Sequence, residues 1–106
     1  MSDALSRLRL DYRSAFVGYL SRRGETQLSS AYETGRGAIA AGVGLLDLVQ
    51  IHNAVTLDLL REAATADERL DIAEAAGAFL IEVLASADMA QRRFLESRES
   101  PRQDAG

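Results

Sequence analysis

Few residues of this 106-residue chain are of types that do chemistry. His52 is the single histidine. One imidazole does not make a metal site, and no acidic residue stands three or four positions away to complete one. As a general base it would need a nucleophile beside it, and the nearby Ser and Thr positions are not arranged as a triad. There is no cysteine, which removes disulfides, thiolate zinc sites and cysteine nucleophiles. The glycines follow no strand, and no G-x-x-x-x-G-K segment occurs, so they form no phosphate loop. Tyr12, Tyr19 and Tyr32 stand at helical spacing and read as core aromatics rather than a cofactor box. The expectation is therefore a protein with no catalysis of its own, no metal and no cofactor. His52 reads as a neutral core histidine hydrogen-bonded to another helix, with a pH-sensing role as the alternative.

Composition narrows the partners. The formal net charge of −4 disfavours nucleic acid or an anionic membrane as the main partner. No apolar run reaches the roughly 18 residues needed to span a bilayer, and the start lacks the apolar stretch of a signal peptide. A soluble, cytoplasmic protein is expected. Leu, Ala, Glu and Arg are abundant, nothing alternates with period two, and the one proline, Pro101, lies beyond the last apolar residue at Leu95. This is an all-α composition.

The spacing predicts four helices: Asp3 to Arg22, Glu25 to the Gly42 turn, Leu45 to Ala63, and Ala66 to about Ser97. Gly24 is expected to end the first by taking the left-handed conformation. Thr65-Ala66-Asp67-Glu68 has the T-x-x-E form of a capping box opening the fourth. Short connections make this an antiparallel four-helix bundle over residues 1–97, followed by a disordered tail or linker over 98–106. The first helix should bury Leu5, Leu8, Tyr12, Phe16 and Tyr19.

The stretch Ala31–Leu60 organises the rest. Its first helix carries Gly35, Ala38 and Gly42 on a face with little bulk, and its second carries Leu45, Leu48, Val49, His52, Val55 and Leu59 on one apolar face. Gly35 and Gly37 each cost about 1 kcal/mol relative to alanine inside a helix, which implies close backbone approach. The short turn makes these two helices antiparallel neighbours, packed small face to large.

The fourth helix has more apolar surface than one bundle needs. Ile72, Ala76, Phe79, Val83, Ala87 and Phe94 form the inward stripe, and Ala78, Ile81, Ala85 and Met89 form another on its flank, where a bundle helix should be polar. Burying a large apolar side chain is worth about 1.5–3 kcal/mol, so the flank could support a dimer or a docked partner. Glu33 and Arg36 are spaced for a surface pair. Arg92 and Arg93 read as a solvated face or as contacts for an acidic partner.

Three stretches resemble one family. They are Tyr12-Arg13-x-x-Phe16-x-x-Tyr19-Leu20, then Ala31-Tyr32-Glu33-Thr34-Gly35-Arg36 with Leu46-Asp47-Leu48-Val49-x-Ile51-His52, and Phe79-Leu80-Ile81-Glu82-Val83-Leu84 with Met89-Ala90. Together they resemble the N-terminal regulatory domain of RsbU-type serine phosphatases of bacterial partner-switching stress responses, across Leu8 to Phe94. The fold is also similar to the KaiA-type clock domain. The resemblance implies a homodimer that binds an RsbT-type switch kinase and so regulates an attached or associated phosphatase. It places the partner surface on Ser29, Tyr32, Ile81, Ala85 and Met89. The aspartate-rich metal site of such phosphatases has no counterpart in these residues, which suit a piece of a phosphatase or kinase as well as a free-standing partner. The rival expectation is a small-ligand sensor with Gly35, Gly42 and His52 lining a pocket between helices.

Overall fold

The computed structural model describes residues 3–105, and side chains from residue 4 to residue 96. Four helices follow in order: α1 (Asp3–Ser21), α2 (Glu25–Ala40), α3 (Leu45–Glu62) and α4 (Ala66–Ala105). The described residues contain no strand. The all-α bundle read from the sequence is the fold observed.

Each connection has its own chemistry. Gly24 is extended (φ −166°, ψ 173°) and acts as the N-cap of α2, its carbonyl accepting from the Gln27 and Leu28 amides. It is not the left-handed stop expected for α1. That conformation occurs at Gly42 (φ 83°), where the Gly42 amide donates to the Ile39 carbonyl and the Val43 amide to the Ala38 carbonyl. These paired bonds satisfy the last carbonyls of α2, and Val43 is buried along with Ala38, closing the motif with an apolar contact. The capping box forms as spaced: the Glu68 amide donates to Thr65 Oγ1 (3.1 Å), and the Thr65 amide donates to Glu68 Oε1 (3.0 Å).

α4 is the axis of the packing. It contacts all three other helices, α2 most extensively, whereas α2 and α3 barely meet and lie on either side of α1 and α4. The close neighbour of the small face of α2 is therefore α4, not α3 as the turn length suggested. A short turn fixes which helices follow one another, but the Gly42–Gly44 connection lets α2 and α3 splay. The reason for Gly35 is then specific: a Cβ there would collide with Ser86 Oγ and the Val83 carbonyl oxygen of α4. Gly37 is different, because a Cβ there meets nothing within 4 Å.

The centre of the core is aromatic. Phe16 and Phe79 stack at 5.2 Å between centroids, Tyr12 meets Phe79 edge-on at 5.3 Å, and His52 stacks on the other side of Phe16 at 5.9 Å. Leu48, Val55, Val83 and Ala87 complete it from α3 and α4. Three residues expected inside are exposed: Leu5 near the start of α1, Val49 on α3, and Phe94, which is 59% exposed. Leu5 lies beside Asp47, Ile51 and Ala54 of α3 at the rim of a shallow groove. α4 continues to Ala105 rather than ending near Ser97. Pro101 thus lies within its span, since a proline removes one helix hydrogen bond and kinks a helix without having to end it. Among the described residues, no helix is long and apolar enough to cross a membrane.

Candidate functional site

The apolar surplus on α4 lies on the outside. The buried arc of this helix runs through Ile72, Ala75, Ala76, Phe79, Val83, Ser86 and Ala87. On its flank, Ile81 is 70% exposed, Met89 is 44% exposed, and Ala78 and Ala85 are open to solvent as well. Residues 78, 81, 85 and 89 recur at helical spacing, so they form one stripe.

α2 supplies the other wall. Close approach at Gly35 brings the two helices together, and next to that contact Tyr32, Arg36, Ser86, Met89, Ala90 and Arg93 line a shallow groove of about 200 Å³. The structure thus brings Tyr32 and Met89 into one groove, with Tyr32 half-buried. Ala85 and Ile81 continue from Met89 along α4. Ser29 stands exposed one turn before Tyr32 on α2, outside the groove lining. Arg36, Ser86 and Arg93 were not singled out for this surface from the sequence. The signal for Arg36 was present, one turn beyond Tyr32 on the same face. Ser86 carried none, being a polar residue that is buried because its hydroxyl donates to the Val83 carbonyl (3.0 Å).

The groove combines apolar and charged side chains. Its floor is aliphatic and aromatic, and it is flanked by two guanidinium groups, Arg36 and Arg93. Arg36 is held by Glu33 at 3.2 Å, the pair expected from their spacing. Arg92, one residue from the groove lining, pairs with Asp88 at 3.2 Å. An apolar centre with a charged rim is the anatomy of a protein interface.

His52 is built differently. It is buried, its Nδ1 lies 2.6 Å from the Tyr12 hydroxyl oxygen, and its Nε2 lies 3.5 Å from Thr56 Oγ1. Burial pushes the Tyr12 phenol well above its ordinary range and the His52 imidazole below its own. A protonated phenol beside a neutral imidazole makes Tyr12 the donor to Nδ1, which leaves the ring proton on Nε2, toward Thr56. This is the hydrogen-bonded core histidine of the sequence reading. A groove of about 570 Å³ does lie between α1 and α2, lined by Arg7, Leu8, Asp11, Thr34 and Gly37 among others. Neither His52 nor Gly35 lines it, and Gly35 faces α4 instead. Among the described residues no three metal-ligating side chains converge.

One family matches the chain, the N-terminal domain of the phosphoserine phosphatase RsbU, over residues 10–90. The chain belongs to the RsbU N-terminal domain family. The match covers α1 from Leu10, all of α2 and α3, and α4 as far as Ala90, just before the exposed run Arg92–Glu96. It includes Ser29, Tyr32, Ile81, Ala85 and Met89. In an RsbU-type phosphatase this is the regulatory rather than the catalytic domain. No curated protein and no solved structure matches the chain.

Proposed function

We propose that this chain is a non-catalytic, homodimeric signalling module of a bacterial partner-switching stress response, working in the cytoplasm. An RsbT-type switch kinase docks on the α2–α4 flank at Ser29, Tyr32, Ile81, Ala85 and Met89. The observation that carries this reading is the solvent-facing stripe Ile81–Ala85–Met89 beside a closely packed α2, on a domain of the RsbU N-terminal family. A surface of that kind costs solubility unless something covers it.

Mechanistically, docking across two helices held together at Gly35 stabilises one arrangement of α2 against α4. α4 is continuous through Ala105, so a change in its tilt or pairing travels along it past the bundle. The residues after Ser97 serve as the connector to a serine phosphatase, attached or associated. Ser29 and Ala85 are small, so the anchors are Ile81, Met89 and Tyr32.

The test is calorimetric titration of the cognate RsbT-type kinase into the wild type and Ile81→Asp. Loss of an anchor of this kind weakens binding by about thirtyfold or more. Unchanged affinity in a variant that keeps its helical circular dichroism rules out this surface.

A further inference from the structure

Resting on the docking reading above, we infer that the kinase presents an acidic side chain whose carboxylate is held by Arg93, and that Arg92, the residue before it, takes no part. The lining of the α2–α4 groove holds two charged side chains, Arg36 and Arg93, and both are cationic. Each stands four residues past an apolar wall residue, Arg36 after Tyr32 and Arg93 after Met89, so each lies one turn further along the same face of its helix. The two helices run in the same direction: Arg23, just before α2, donates to the Asp71 carbonyl near the start of α4 (2.8 Å), while Gly35 abuts Val83 and Ser86. Both guanidinium groups therefore gather at one end of the groove, past its apolar part.

Their acidic neighbours tell the arginines apart. Asp88 takes the Arg92 guanidinium at 3.2 Å, and Arg92 does not line the groove. Glu33 holds one nitrogen of Arg36 at 3.2 Å. Among the described residues, Arg93 has no acidic partner within the chain. A guanidinium donates from a planar fork and accepts nothing, so its complement is an anion, and a carboxylate meets it with two parallel bonds.

The sign of the groove runs against the sign of the molecule. A chain of formal charge −4 does not steer an acidic partner toward itself, so the two arginines act only where they stand. An apolar side chain between Tyr32 and Met89 suits many partners, and the added demand for a carboxylate at the arginine end suits few. The occupant is then an amphipathic segment with an apolar residue for the groove and an Asp or Glu beside it on the same face.

Calorimetric titration of the cognate RsbT-type kinase into the full chain tests this, with Ile81→Asp as the control for the docking surface. Arg93→Gln should weaken binding by about tenfold in roughly 50 mM salt, and its gap from the wild type should narrow in roughly 500 mM salt, where an ion pair is screened. Arg92→Gln should bind within about twofold of the wild type in both. Wild-type affinity in Arg93→Gln overturns the inference. Equal loss in Arg92→Gln does so too, because it marks a diffuse attraction to this basic stretch, and so does a loss in Arg93→Gln that salt does not change, which marks packing of the side-chain stem. In each of these cases a loss of binding in Ile81→Asp leaves the docking surface standing without this contact. Wild-type affinity in Ile81→Asp overturns the docking reading and this contact with it.

Discussion

The hydroxyl oxygen of Tyr12 and Nδ1 of His52 lie 2.6 Å apart in the core, joining α1 to α3 beside the stacked rings of Phe16 and Phe79. This bond ties protonation to stability. Burial holds the folded His52 below its ordinary value of 6.5, so the unfolded chain binds the proton more readily. The stability that depends on neutral His52 is complete above about pH 6.5 and is lost as the pH falls through that value, levelling off below the folded pKa. Urea denaturation at about pH 7.5 and pH 5.5 should show a larger fall for the wild type than for His52→Gln. Tyr12→Phe should cost about 1–2 kcal/mol at neutral pH, because Nδ1 then has no partner in the core.

Gly35 and Gly37, two residues apart, should respond in opposite senses to alanine. At Gly35 the new Cβ strikes Ser86 Oγ and the Val83 carbonyl, and backbone cannot give way as a side chain can. Gly35→Ala should destabilise by about 1–3 kcal/mol. At Gly37 the methyl group enters open space, and Gly37→Ala should stabilise by about 0.5–1 kcal/mol through helix propensity. Thermal melts of the two variants against the wild type check both signs.

The start of α4 rests on one reciprocal cap. Glu68 Oε1 accepts from the Ala64 amide (2.7 Å) as well as from that of Thr65, and Thr65 Oγ1 accepts from the Glu68 amide. Thr65→Ala should cost about 1 kcal/mol in urea denaturation, whereas Thr65→Ser should be close to neutral.

The legible part of this fold was the part fixed by local spacing. The starts of α2, α3 and α4 follow from Gly24, Gly44 and the Thr65–Glu68 box, each a signal contained within a few residues. The demand for close packing at Gly35 was also legible, but its partner was not: spacing defines a face and leaves open which helix covers it. For the same reason Phe94 read as an inward residue. It continues the core stripe of α4 into a stretch of the helix that is largely exposed. On the exposed flank of α4, Ile81, Ala85 and Met89 were readable because they are apolar beyond what the core stripe requires. Arg93 joins the groove only through the relative placement of α2 and α4, which no single helix encodes.

Amide hydrogen–deuterium exchange with and without the cognate RsbT-type kinase measures the docking surface without altering any residue. Added kinase should slow exchange in peptides covering Ser29–Arg36 and Ile81–Arg93, while the α1–α3 grooves around Arg9 and Asp58 stay unchanged. Protection confined to α1 and α3, or none on the α2–α4 flank at saturating kinase, would contradict the account.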